Sequence, residues 1–186
     1  MTSKLVVNNI ESDVGVSTVT FSGDVEAVNF IGNVGAQATL STPKPADASS
    51  ITFTDVPVWA KKITVMFQGV SMSFTTRDIL IRLGTSGGVI NLGYVSSSSN
   101  QSGTTSSETT AFHIDNLGTT QTCSGHYTIT KFDSSTYIGS SVVKHDTTAL
   151  RFSAGELTGV SGTIDRVEIS ALSVFDAGQI NVLYEG

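Results

Sequence analysis

Five consecutive residues, Gly84-Thr85-Ser86-Gly87-Gly88, spell the G-x-S-x-G string of a nucleophile elbow, in which a sharp turn exposes a serine hydroxyl for acyl transfer. That chemistry needs a strand before the serine and a helix after it. The run Ile79 to Leu83 supplies the strand, but Val89-Ile90-Asn91-Leu92-Gly93-Tyr94 follows as another extended run. A Gly-rich hairpin turn is therefore expected, and Ser86 is given no catalytic role. His113, His126 and His145 fall in no H-x-x-x-H or H-E-x-x-H spacing, whereas a metal site needs three or four converging ligands. His113 and Asp115 share a strand face and read as a pair at a solvent or core edge. Asp165 and Glu168 lie on opposite faces of one extended segment, the wrong arrangement for the facing acid and base of a glycosidase. Cys123 is the single cysteine, which excludes an intrachain disulfide framework and a multi-cysteine zinc site and leaves a buried, inert thiol as the expectation. The sequence thus predicts no enzyme, no cofactor and no metal.

Aromatic residues offer a binding chemistry instead. Trp59, Tyr94, Tyr127 and Tyr137 could form a sugar-stacking platform, although core packing is the usual place for such side chains. Trp59, just after Val56-Pro57-Val58, is expected in the core. Tyr94 borders a Ser-rich stretch and is expected at the surface. That stretch, Ser96 to Thr110, has no apolar periodicity and reads as a long loop. Tyr94, Ser98, Asn100 and Thr104 are the expected contacts for a ligand at this surface. Lys61-Lys62 reads as a solvated edge that discourages pairing with other chains.

The elements that must position these residues are strands. Ile63, Val65 and Phe67 alternate with Thr64 and Met66, and Val167, Ile169 and Ala171 alternate with Arg166, Glu168 and Ser170. Further runs at 51–54, 79–83, 89–94, 127–132, 137–143, 150–152 and 180–184 bring the total to about nine, enough for an antiparallel β-sandwich of jelly-roll type. Before them, Phe21-Ser22-Gly23-Asp24-Val25 is echoed nine positions later by Phe30-Ile31-Gly32-Asn33-Val34. Read as a repeat, this is a short β-unit that cannot bury its own Phe and Val, so neighbouring copies or chains must supply the other wall. Read otherwise, it is two unrelated hairpin turns. The segment Ser41 to Ser50 holds two of the three prolines and reads as a semi-rigid neck, or alternatively as a surface loop inside one domain. The expected fold is all-β: an extended, triple-stranded stalk over residues 1–42, a linker over 43–50 and a sandwich head over 51–186.

Charge narrows the partners. With 10 Lys+Arg against 16 Asp+Glu and only 14% charged residues, the 186-residue chain lacks the electrostatic footprint of a nucleic-acid binder. Hydroxyls and amides replace the missing charges, a composition common in proteins that work outside cells. No apolar run is long enough for a signal peptide or a membrane span, so if the protein works outside a cell, release by lysis rather than ordinary secretion fits.

Three strings carry a family resemblance. Ser3-Lys4-Leu5-Val6-Val7-Asn8-Asn9-Ile10-Glu11-Ser12-Asp13 resembles the start of small structural proteins and fibres of tailed bacteriophages, where it precedes stalk repeats built on G-[DN]-V. The stretch Phe53 to Phe67 and the ending Phe175 to Glu185 are similar to a phage fibre-tip or spike domain. The resemblance implies a homotrimeric virion-surface protein without catalytic role, docked to other virion proteins through its N-terminal region. Val19, Phe21, Val25, Phe30 and Val34 would then meet around a threefold axis. Two roles stay open: a short fibre or spike whose head attaches to a host-surface glycan or protein, and a capsid decoration or knob protein that stabilises the particle.

Overall fold

Inward-facing apolar residues at every second position decide most of this architecture. The computed structural model describes residues 37–73, 78–114, 121–145 and 149–186. The chain divides into two units, Met1–Gly35 and Ala36–Gly186, and everything below concerns the second. Val19, Phe21, Val25, Phe30 and Val34, the expected trimerisation residues, lie outside the described residues, as does Asp115.

Fourteen strands are present among the described residues: β1 (Ala38–Leu40), β2 (Lys44–Pro45), β3 (Ser50–Thr54), β4 (Lys62–Met72), β5 (Ile79–Thr85), β6 (Gly88–Val89), β7 (Tyr94–Asn100), β8 (Thr105–Glu108), β9 (Phe112–Ile114), β10 (Cys123–Lys131), β11 (Tyr137–His145), β12 (Ala149–Leu157), β13 (Arg166–Ala171) and β14 (Phe175–Glu185). They form two antiparallel sheets. The large one runs β1-β14-β4-β10-β11-β12-β7-β8, with β2 also on β14; the small one runs β3-β13-β5-β6, with β9 also on β5. No helix among the described residues is long and apolar enough to cross a membrane.

One hydrophobic core joins the two sheets in a β-sandwich-like arrangement. Ile51 and Phe53 of β3, Val167 and Ile169 of β13, Ile79, Ile81 and Leu83 of β5, and Phe112 of β9 share it with Ile63, Val65 and Phe67 of β4 and Ile180, Val182 and Tyr184 of β14. At ~25 cal/mol per Å² of apolar surface removed from water, these side chains supply the main drive for the fold. Phe112 sits between sheets. Its ring meets Tyr94 edge-on at 5.2 Å between centroids and Tyr127 at 5.5 Å.

Three expectations change here. The segment expected as a neck is bound into the large sheet: β2 pairs with β14, the Ala46 amide bonds to the Gly178 carbonyl, and Ala46 is buried, while β1, from the end of the expected stalk, pairs with β14 too. Pro45 is tolerated because this is an edge, where proline's missing N–H leaves no ladder bond unmade. Second, the Ser-rich stretch is not a loop but the hairpin β7–β8, whose Ser96 and Ser98 face inward in place of apolar residues. Third, Trp59 is half-buried in a turn against the C-terminal Gly186, not in a strand of the core.

Irregularities fall where glycine allows them. Opposite Gly69, β14 shifts register twice between Phe175 and Gln179, and Gly178 takes φ +93° there with its Cα against the Gly69 backbone. Any side chain at Gly178 would strike that strand.

Candidate functional site

Tyr94 and Ser98 are not available to a receptor. Tyr94 is 2% exposed, and its hydroxyl accepts the Leu83 amide at 2.9 Å. That amide needs it: β9 pairs with β5 only over Ile79–Ile81 and β6 only over Gly84–Thr85, so the Tyr94 phenol fills the break at Leu83. Burial pushes the phenol up to about 12 against the lowering effect of the Leu83 bond. Ser98 is buried and donates to the Phe152 carbonyl. Its polarity misled: flanked by Ser97 and Ser99, Ser98 carries no apolar signal of burial.

Asn100 and Thr104 do stand at the β7–β8 tip. The Asn100 carboxamide oxygen accepts the Ser102 and Thr104 amides at 2.9 and 3.0 Å, and Gly103 turns the chain at φ +79°. Asn100 therefore builds the turn, while Gln101, Ser102, Gly103 and Thr104 are exposed on it.

The other sequence candidates scatter. Ser86 lies in the two-residue turn between β5 and β6, with a strand on both sides. His113 is buried with Nε2 3.4 Å from an Asp78 carboxylate oxygen, His126 is exposed on β10, and His145 is buried at the end of β11. No group of three or more metal-ligating side chains gathers among the described residues. Cys123 is buried, which pushes its thiol up to about 12. Asp165 binds the Arg166 guanidinium through both carboxylate oxygens, at 2.7 and 3.2 Å, and this holds its carboxyl below the usual range.

Glu168 finds a partner that its sequence neighbours do not show. Arg82 lies directly opposite it on β5, and the two form an ion pair at 3.4 Å on the outward face of the small sheet. The guanidinium also donates to the Thr110 carbonyl at 3.0 Å, to the Thr110 hydroxyl at 3.4 Å and to the Ser170 hydroxyl at 2.9 Å. Thr110 is fixed in turn by Glu108, whose carboxylate accepts the Thr110 amide and hydroxyl and the Thr109 amide, each at 2.8 Å. Burial raises the Glu108 carboxyl, but these bonds outweigh it and the net shift is downward. Above the pair opens a cleft of about 370 Å³ lined by Arg82, Val89, Asn91, Thr110 and Glu168. It combines cationic and amide donors, carboxylate and hydroxyl acceptors, and one apolar wall. The sequence signal was present only as two charges on outward strand positions in a charge-poor chain.

The outer face of the large sheet is a second open surface. Val142 and Phe152 stand side by side on β11 and β12, 51% and 43% exposed, with Ile138 and Val95 also outward among serines and threonines. Fold and site together define an all-β, two-sheet protein with a polar cleft on one face and an apolar, hydroxyl-rich face on the other. Comparison with family models, with curated proteins and with solved structures gave no match to this chain.

Proposed function

We propose that the chain is a virion-surface protein of a tailed bacteriophage: a short trimeric fibre or spike whose β-rich head attaches to the host surface. The strand order carries the reading. Taking β1/β2, β3, β4, β5, β9, β10, β13 and β14 as strands one to eight, the sheets run one-eight-three-six and two-seven-four-five. This is the order of a jelly roll, an architecture used by viral capsid and lectin domains. The hairpins β7–β8 and β11–β12 are insertions into it that widen one sheet. Fold-level analogy alone assigns no function; here it joins the likeness of Phe53–Phe67 and Phe175–Glu185 to fibre tips and a surface rich in hydroxyls.

In this reading residues 1–35 dock to other virion proteins and trimerise through Val19, Phe21, Val25, Phe30 and Val34. The head is displayed outward, needs no cofactor and catalyses nothing. Adsorption tests it. Purified chain added to host cells before the phage is expected to lower particle adsorption in proportion to its concentration. Unchanged adsorption, with faster thermal inactivation of particles lacking the protein, would instead support a capsid decoration role.

A further inference from the structure

We infer that the cleft over Arg82 and Glu168 is a binding site for a neutral saccharide. The inference rests on the surface-attachment reading and names the ligand class and the residues that would take it.

A sugar hydroxyl both donates and accepts, so its site must offer both functions side by side. Here the Arg82 guanidinium and the Asn91 amide donate, while the Glu168 carboxylate and the Thr110 hydroxyl accept, around a cleft of about 370 Å³. That volume falls within the ~300–1,000 Å³ typical of small-ligand clefts. Val89, 37% exposed, offers an apolar contact for the C–H face of a ring. The lining contains no aromatic side chain, which disfavours a flat nucleobase or aryl ligand.

Two details separate a binding site from an ordinary cross-strand ion pair. The Arg82–Glu168 contact is 3.4 Å although the side chains are only 17% and 22% exposed. Charge-assisted bonds close to ~2.7–2.9 Å, so this pair is partly desolvated without the short contact that compensates it. Its other long contact, from Nη2 to the Thr110 hydroxyl at 3.4 Å, leaves the second terminal nitrogen open to exchange with a ligand oxygen as well. The remaining bonds, to the Thr110 carbonyl and Ser170, hold Arg82 in place, which lowers the ordering cost of binding. Neutrality of the ligand follows from the charges: Glu168 offsets Arg82 inside the cleft, and the chain carries a net charge of -6 that repels anions.

The test is an amide-shift NMR titration of the full chain with glucose, galactose, N-acetylglucosamine and their disaccharides, with glucuronic acid as the charged control. At least one neutral sugar is expected to move the Val89, Asn91 and Thr110 resonances. Asn91→Ala, on an exposed position outside the ion pair, and Glu168→Gln are each expected to weaken binding about tenfold. Raising the salt is expected to leave the affinity within about twofold, because no net charge is neutralised. No shift with any neutral sugar, shifts confined to the 100–104 turn, or tighter and salt-sensitive binding of glucuronic acid each overturns the inference. If Glu168→Gln unfolds, Asn91→Ala decides alone. Particles that carry the protein while no sugar binds remove this inference only, and sugar binding with no protein on particles removes the virion reading only.

Discussion

One row of paired residues crosses the large sheet from β14 to β8, and its two halves are held in different ways. Val182, Val65 and Tyr127 stand on β14, β4 and β10; Ser141, Ser153, Ser98 and Ser106 continue the row on β11, β12, β7 and β8. All but the last are buried. The first half is stabilised by apolar burial against the small sheet. The second is the wing of β11, β12, β7 and β8, where hydroxyls take the inward positions of this row, beside the buried Val143 and Leu157, and bond to each other and to backbone: Ser141 to Ser153 at 2.6 Å, Ser98 to the Phe152 carbonyl at 3.2 Å, and Ser96 from the His113 amide at 3.1 Å. At the boundary the Tyr127 phenol faces Ser96 and Ser153 yet closes no hydrogen bond of normal geometry with either. A sheet can thus be extended beyond its apolar core by small polar residues when most of the buried hydroxyls find a partner, as Ser141, Ser153, Ser98 and Ser96 do. Stability then depends on satisfied bonds more than on area.

Alkaline pH should break both halves together and gives the largest effect. All four tyrosines are buried, and burial raises each phenol: Tyr94 and Tyr184 to about 12, Tyr127 and Tyr137 also upward. A raised folded-state value means that the native protein keeps protons the unfolded chain releases. Their stabilisation is therefore complete below about pH 10 and is lost as pH climbs from 10 towards 12. Tyrosinate absorbance is expected to appear together with loss of β-sheet circular dichroism; a rise centred on pH 10 with the fold intact would show the phenols to be exposed.

Phe112→Ala attacks the apolar half where it touches the wing, removing the ring between Tyr94 and Tyr127. Chemical denaturation is expected to show a loss of about 3–5 kcal/mol. Gly139→Ala probes the boundary itself, because a β-carbon there would lie 2.5 Å from the Tyr127 ring. Overpacking of this kind costs about 1–3 kcal/mol.

The sharpest contrast comes from the smallest effects. Ser141→Ala strands the Ser153 hydroxyl and is expected to cost about 1–2 kcal/mol, whereas the Ser141→Ala, Ser153→Ala double variant removes both partners and should recover most of that loss. Additive losses in the double variant would mean that the wing is not held by the serine pair.

The same contrast explains what the sequence disclosed. Where inward positions are apolar, the alternation marks the strand: Arg166 to Ala171 is β13 with its predicted boundaries, and Ile63, Val65 and Phe67 face the core of β4. Where inward positions are serine, period two is invisible to hydropathy, so β7 and β8 read as a loop and Tyr94 as a surface residue. At the edge, Pro43 and Pro45 read as a neck because proline signals extension without saying what lies alongside. The cleft was the least legible part, since Arg82 and Glu168 are brought together only by the non-local pairing of β5 with β13.

The proposed place of this protein, on a phage particle as an attachment head, is open to immunogold electron microscopy of intact particles. With antibody raised against the whole chain, gold is expected on the tail or its fibres. Gold spread over the capsid would move the role to decoration, and particles that carry no gold at all would contradict the proposal.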